Sequence, residues 1–376
     1  MKNKSSVIII LIATILLATI ISKYYFSKTH KAEEVVEVGA ILPLTGEVAV
    51  YGRNTQKGID LAVQKINSEG GINGKMIKVM YEDSKADPST GVNAINKIIS
   101  TTDIQYIIDN SVSSVALAIT PVATKNKIVV LSTGSTSPDL SGISPYFFRI
   151  WNSDDLEGRI MAQFAIDSLN IDEVAVVYMN NEYGIGLKNV FEEEYLKIGG
   201  RNISSHVFEQ NSKNFDLVLH KAIKSQALYL IGYTLDNATI IKKLKELGYT
   251  GSILGTVTME DKKILELCGK AANGIVYPFP SIPIQDELNV RTFKEFFMKE
   301  YNESPGITSD VGYDAVLVFA KALSEINEIT GETLSKYFSS EFSMYGASGL
   351  LEFDKNGDVH KPMTIKKIDN SEFVNY

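Results

Sequence analysis

Cysteine and clustered positive charge are both scarce in this sequence. Cys268 is the only cysteine, so no disulfide can form within the chain. Lysine and arginine total 37 against 45 aspartate and glutamate residues, which gives a formal charge of −8, and no basic cluster stands out. A surface for nucleic acid or anionic lipid is therefore disfavoured. A chain of 376 residues can bury two cores without disulfides, so export is not excluded.

Motifs that would indicate catalysis or a bound cofactor are also missing. The four histidines have no recognisable pattern around them, so a serine nucleophile such as Ser113 would lack a base. Gly184 and Gly186 form a G-x-G run without the third glycine of a dinucleotide site. Residues 354–358 resemble a calcium loop, but Val359 stands where glycine is needed. We therefore predict a protein that is not an enzyme, with no cofactor and no metal site.

The first thirty residues contain a long apolar run. Lys2 and Lys4 precede fifteen residues, Val7–Ile21, that are apolar except for two threonines. This length suits the core of a signal peptide, and residues 5–26 nearly suffice to span a lipid bilayer. No small-x-small site follows convincingly and no lipoprotein cysteine follows, so we favour an uncleaved anchor within residues 1–34, with a cleaved signal peptide as the alternative. Either form predicts export to the periplasmic or extracellular face of the cytoplasmic membrane.

Beyond this segment, short β-rich runs alternate with longer helical stretches. Residues 39–88 read as a strand, a glycine-punctuated loop, an amphipathic helix and a second strand. Ile59, Ala62 and Ile66 recur at helical spacing, which makes one face of that helix apolar. Nine such β-rich runs occur between residues 36 and 277. Because parallel strands need crossover helices, we predict an α/β fold with parallel-rich sheets.

The same segment carries motifs of a known family. They are Pro43-Leu44-Thr45-Gly46, Tyr51-Gly52, Gly58–Ala62, Ile66-Asn67, Gly70–Gly74, and Asp83 followed by Asp87-Pro88. In the order and the residues of these motifs, this stretch resembles the type I periplasmic binding proteins, the family of branched-chain amino-acid receptors that feed ABC importers. Similarity continues at family spacing, so the resemblance covers roughly residues 36–365.

The resemblance implies two Rossmann-like lobes, joined by a three-stranded hinge, that close around a ligand. The N-lobe would comprise residues 35–153 and 283–346, and the C-lobe residues 154–282 and 347–376. The sequence offers a connection for each crossing of the hinge: 150–154, 278–283 and 345–349. The implied partners are a small-molecule ligand and an ABC permease in the membrane. An anchored sensor that signals through a membrane partner is the alternative.

Two serines stand where a predicted strand gives way to a helix. Ser113 and Ser114 follow the strand Tyr106–Ile108 and open a helix from Val115. Ligands bind beyond the carboxyl ends of parallel strands, where helix N-termini leave N–H groups free. A hydroxyl and two free amides at that point suit a carboxylate, and simple capping of the helix is the alternative.

Further site residues follow only from the resemblance. Matched by position, Gly134 would offer its carbonyl to a ligand ammonium and Thr136 its hydroxyl to the carboxylate, with Ser135 between them in the same loop. Asp154 corresponds to an acid that opposes the amino group in many relatives, with solvated hinge polarity as the alternative. The family places aromatic walls at three tyrosine positions: Tyr51, Tyr183 and Tyr233. Core or rim packing is the alternative for each tyrosine.

One position departs from the family pattern. Many amino-acid binders carry a glutamate after the glycine that matches Gly255, where it pairs with the ligand ammonium, and Val257 holds that place here. Glu260 could substitute only if the loop shifts. An amino acid therefore leads as the expected ligand, with neutral amides, short carboxylic acids and aromatic acids as alternatives.

Overall fold

The computed structural model describes residue 19 and residues 35–281, 287–340 and 342–376. Apart from residue 19, the predicted signal peptide or anchor, residues 1–34, lies outside these ranges. Within them, no helix has both the length and the apolar character needed to cross a membrane.

Strands and helices largely alternate from residue 35 to residue 280, and three helices followed by four strands complete the described residues. The strands are β1 (Val35–Leu42), β2 (Met76–Asp83), β3 (Tyr106–Asp109), β4 (Val129–Ser132), β5 (Phe147–Arg149), β6 (Glu173–Met179), β7 (Asn202–Phe208), β8 (Ala227–Ile231), β9 (Ser252–Leu254), β10 (Val276–Pro280), β11 (Ser343–Gly346), β12 (Gly349–Glu352), β13 (Met363–Asp369) and β14 (Glu372–Asn375). The helices are α1 (Ala49–Ser68), α2 (Pro88–Thr101), α3 (Ser113–Lys125), α4 (Asp154–Asp167), α5 (Glu182–Lys197), α6 (Asp216–Ala222), α7 (Thr234–Glu246), α8 (Lys262–Cys268), α9 (Glu287–Tyr301), α10 (Ser309–Glu325) and α11 (Gly331–Ser340). All nine predicted β-rich runs form strands.

The first five strands form one parallel sheet in the order β2-β1-β3-β4-β5. Helices α1 and α10 pack on one face of this sheet, and α2 and α3 pack on the other. Tyr106 of β3 stacks on Phe319 of α10 with the ring centroids 4.6 Å apart. Because helices cover both faces, β3 and β4 are buried along their whole length and consist mainly of apolar residues.

The next five strands repeat this arrangement in a second sheet. They lie in the parallel order β7-β6-β8-β9-β10, and β13 and β14 extend the sheet as antiparallel strands beside β10. Val177 and Leu230 pack on α6 and α7 on one face, while Val176 and Tyr229 pack on α5 on the other. The molecule therefore has two α/β lobes with parallel-rich sheets, which confirms the predicted fold class.

The predicted third crossing of the hinge falls in a hairpin. Residues Tyr345–Gly349, where the third crossing is predicted, lie in the hairpin of β11 and β12. The carboxylate of Asp314 in α10 accepts hydrogen bonds from the N–H groups of Ala347 and Ser348 in the turn of this hairpin. The chain still packs in the core of the first lobe at Val359 and joins the second sheet at Met363. The division between residues 346 and 347 stays a prediction, and this packing favours a crossing after Val359.

Candidate functional site

A cavity of about 70 Å³ lies between the two lobes at the carboxyl ends of their strands. One wall follows β1, β3 and β4, and the other follows β6, β8 and β9. Seven of the ten predicted site residues line it: Tyr51, Ser113, Gly134, Thr136, Tyr183, Tyr233 and Val257. The other three do not: Ser114, Ser135 and Asp154. A larger cavity of about 470 Å³ adjoins it, since both are lined by Trp151, Ile307 and Thr308.

Ser113 is buried and positions the loop that follows β4. Helix α3 begins at Ser113 itself, two residues earlier than predicted, and its N-cap residue Val112 makes no side-chain capping bond. The Ser113 hydroxyl oxygen accepts hydrogen bonds from the N–H groups of Thr136 at 3.3 Å and Ser137 at 3.1 Å. Ser113 therefore connects two strand-end loops, and the capping alternative is wrong for its hydroxyl. The positive end of the α3 dipole lies at the cavity, since Val112 and Ser113 both line it.

The neighbouring small residues serve the packing of the same loops. The hydroxyl of Ser135 donates a hydrogen bond to the carbonyl oxygen of Ser111 at 2.7 Å and is buried away from the cavity. A Cβ atom at Gly134 would lie 2.6 Å from Nδ2 of Asn110, so a residue without a side chain is required there. Asn110 lines the cavity although sequence reasoning missed it, and its buried Oδ1 has no hydrogen-bond partner among the described residues. Asn110 could have been predicted from its position directly after β3, at the carboxyl end of a parallel strand.

Three tyrosines line the cavity where the two lobes meet: Tyr51, Tyr183 and Tyr233. The rings of Tyr183 and Tyr233 stack with centroids 5.5 Å apart and an interplanar angle of 10°. Tyr51, from the other lobe, meets Tyr233 edge-on at 6.5 Å. Trp151 also lines the cavity, and it packs on Phe279 at the hinge. Sequence reasoning missed Trp151, although it lies within the predicted first crossing.

Asp154 lies behind the cavity lining and is fully buried. Its Oδ2 accepts a hydrogen bond from the hydroxyl of Thr136 at 2.8 Å, and its Oδ1 has no partner among the described residues. Burial raises the pKa of Asp154 to about 7, while the Thr136 hydrogen bond and the charge of Arg149 oppose that rise. The hydroxyl that the resemblance assigns to a ligand carboxylate thus donates to an acid of the protein, and solvated hinge polarity is excluded for Asp154.

The loop that carries Val257 is held by an acid that sequence reasoning missed. Glu260 does not replace the glutamate that relatives carry at the position of Val257. It pairs with Lys366 and accepts a hydrogen bond from the hydroxyl of Tyr277. Instead, Oε1 of the buried Glu157 accepts the backbone N–H of Val257 at 3.1 Å. Burial and then the neighbouring Asp154 raise the pKa of Glu157 well above its ordinary value. The available signal was the spacing of three residues from Asp154, which places both acids on one face of α4.

Metal binding and catalysis each depend on particular residue types. In the described parts of the chain, no group of three or more histidine, cysteine, aspartate or glutamate side chains could hold a metal ion. The described lining of the cavity contains no histidine that could act as a base. What the arrangement can do is enclose a small molecule beside helix N–H groups, with buried carboxyl groups behind the lining.

Comparison with known proteins gives a consistent picture over both lobes. A family model described as periplasmic binding protein matches residues 35–372. Leu/Ile/Val-binding protein homolog 1 of Brucella abortus is 24% identical over 330 residues, which cover 87% of this chain and 88% of the relative. The leucine-, isoleucine-, valine-, threonine- and alanine-binding protein of Pseudomonas aeruginosa is 24% identical over 344 residues, covering 89% and 90%. A crystal structure of a leucine binding protein from Thermotoga maritima has a TM-score of 0.84 and 25% identity, covering 91% of this chain and 98% of that one.

Proposed function

Because this chain belongs to the periplasmic binding protein family, we propose that it is an extracytoplasmic solute receptor that closes on a free amino acid and delivers it to an ABC permease. The relatives from Pseudomonas aeruginosa and Thermotoga maritima are both named for binding leucine, and the former also for isoleucine, valine, threonine and alanine. Their similarity extends over about nine-tenths of this chain, which supports a shared type of ligand.

One observation carries the choice of an amino acid: N–H groups of a helix N-terminus line the cavity, and a buried acid lies behind the lining next to Thr136. The N-terminus of α3, with Val112 and Ser113, offers N–H groups and a partial positive charge. Behind the lining, Asp154 holds a carboxyl oxygen without a partner among the described residues. A zwitterion places a carboxylate and an ammonium a few bonds apart and matches both features at once.

The remaining lining indicates an apolar side chain of modest size. Tyr51, Trp151 and Tyr233 provide aromatic surface, and Val48 and Val257 provide aliphatic surface. Such walls favour apolar groups, because they bury them without leaving polar atoms unpaired. The small volume of this cavity favours an amino acid over a peptide or a sugar. The protein would then be a receptor and not an enzyme, located outside the cytoplasmic membrane.

A ligand screen tests this proposal. The full-length chain in mild detergent would be heated with each amino acid, its amide, and short or aromatic carboxylic acids. A ligand at a hundred times its Kd raises the free energy of unfolding by about 2.7 kcal/mol, which raises Tm by a few degrees. We expect apolar amino acids to do so. Stabilisation only by amides or simple acids would overturn the amino-acid assignment. Loss of amino-acid uptake by cells that lack the protein would then separate import from sensing.

A further inference from the structure

We propose that Glu157 and Asp154 together bind the ammonium group of the ligand, and that Glu157 takes the role of the acid that Val257 displaces. This inference rests on the proposed function, since it concerns the amino end of the same ligand. It identifies Glu157 as the residue that makes the site select amines over their uncharged analogues.

The two acids are held side by side next to the cavity. Both lie in the first turn of α4, three residues apart and so on one face of the helix. Asp154 is 0% exposed and Glu157 is 2% exposed. Glu157 contacts the backbone of Val257, and Asp154 contacts Thr136, and both of these partners line the cavity. Tyr183, a third lining residue, donates its hydroxyl hydrogen to Thr256, which directly precedes Val257 in the chain.

The pair has unused hydrogen-bonding capacity. Oδ1 of Asp154 has no partner among the described residues, and neither does the buried hydroxyl of Tyr229, whose pKa both acids raise. An ammonium group carries three N–H donors and no acceptor, so it could satisfy carboxyl oxygens of both acids at once. Buried carboxylates are otherwise stable only when a cation or several donors compensate their charge.

The charged and titratable groups around the acids supply one cation, and it is engaged elsewhere. They are Arg149, Tyr183, Tyr229 and Tyr233. The Arg149 guanidinium makes two bonds to Asp358, at 2.6 and 3.1 Å, and donates to the Ser137 carbonyl oxygen at 2.9 Å. Two buried carboxyl groups therefore have near them three neutral phenols and one cation, which is already paired with Asp358. A ligand ammonium provides the missing positive charge.

The same arrangement implies that a proton leaves when the ligand binds. Without an ammonium group, the pair keeps a proton near neutral pH, because burial raises the pKa of both acids and each opposes ionisation of the other. A bound ammonium favours both carboxylates, so the retained proton passes to the solvent. Affinity for amines should therefore rise with pH through about 7, the pKa of Asp154, whereas affinity for analogues without the amine should not rise.

The test compares leucine, leucinamide and 4-methylpentanoate by titration calorimetry on the full-length chain at pH 5.5 and 8, in buffers with different heats of ionisation. For Glu157→Gln we expect affinity for the two amines to fall about tenfold to a hundredfold, as for loss of a bond to a charged group. Proton release should fall with it, while affinity for 4-methylpentanoate changes little. Glu260→Gln is the matched control, because Glu260 pairs with Lys366 instead, and should leave all three affinities and the proton release unchanged.

Several outcomes separate this inference from the proposed function. Equal losses for amines and 4-methylpentanoate, or unchanged proton release in Glu157→Gln, would overturn the ammonium site while amino-acid binding by the wild type still supported the receptor. Binding of leucinamide but not leucine would overturn the amino-acid assignment, while loss of leucinamide binding in Glu157→Gln would still support the ammonium site. Should Glu157→Gln fail to fold, Asp154→Asn gives the same selective loss if the inference is correct.

Discussion

The phenolic oxygen of Tyr51 lies 2.7 Å from the hydroxyl oxygen of Thr234, and this hydrogen bond joins the two lobes beside the cavity. Thr234 donates in turn to Asp261 at 2.9 Å, so Tyr51 acts as the donor to Thr234. Tyr51 belongs to α1 of the first lobe and Thr234 begins α7 of the second, so this bond has to break if the lobes separate. A direct bond between protein groups therefore favours the closed arrangement.

Replacing Tyr51 with phenylalanine should weaken ligand binding by about fivefold, since a hydrogen bond of this kind contributes about 1 kcal/mol. The bond is made in the closed form, so the loss should appear mainly as faster ligand release, measured by stopped-flow fluorescence. Tyr81→Phe is the matched control, because the Tyr81 hydroxyl donates to Asp60 within one lobe. An equal effect of both substitutions would contradict the assigned role of Tyr51.

Replacing Ser113 with alanine should weaken ligand binding by about 1–3 kcal/mol. The N–H groups of Thr136 and Ser137 would lose their shared acceptor, and the loop beside the cavity would lose its position. Calorimetric titration with the ligand found in the screen measures the change. Ser114→Ala removes the neighbouring hydroxyl, which does not line the cavity, and should leave affinity unaltered. Unchanged affinity in Ser113→Ala would exclude Ser113 from the site.

Replacing Arg149 with methionine should lower the free energy of unfolding by about 3–5 kcal/mol, because the buried carboxylate of Asp358 would lose its cation. Both side chains of this pair are at most 6% exposed. Arg159→Met removes an arginine of the same size from a pair with Asp155 that is about half exposed, and should cost less than about 1 kcal/mol. Denaturant unfolding measures both values, and similar losses would refute a structural role for the buried pair.

The stability of the ligand-free protein should fall as pH rises from about 4 to about 7. Burial raises the pKa of Asp154 to about 7, and burial likewise raises the pKa of Asp314 to about 6. The folded chain then binds more protons than the unfolded chain, whose aspartates have pKa values near 4. This stabilisation is complete below the unfolded pKa and is lost as pH passes the folded pKa.

Asp154→Asn tests the pH dependence directly. The variant should have a smaller decrease in the free energy of unfolding between pH 5 and 8, and it should be more stable than the wild type at pH 8. Denaturant unfolding across that range measures the slope. The control Asp155→Asn alters an exposed neighbour and should keep the wild-type slope. An unaltered slope in Asp154→Asn would show that Asp154 does not carry the retained proton.

Local pattern predicted the sheets of both lobes better than their connections. The runs at β3 and β8 are short, apolar and bounded by turn residues, so the sequence predicts that both faces of these strands are buried. The hairpin of β11 and β12 could not be predicted from the sequence, because its turn is held by Asp314 of α10, which is distant in the chain. Helix α3 also begins earlier than its pattern indicates, since helix boundaries depend on their surroundings.

By itself, the sequence determined the α/β class, the alternation of strands and helices, the strand-end location of the site and the absence of an acid at position 257. These features depend on residues close together in the chain, through periodicity and turn chemistry. Only the tertiary structure decided that Glu157 lies against Val257, a hundred residues away, and that Glu260 turns toward Lys366. Both pairings form within the second lobe between elements that are far apart in the chain, and one sequence carries no local signal of such contacts.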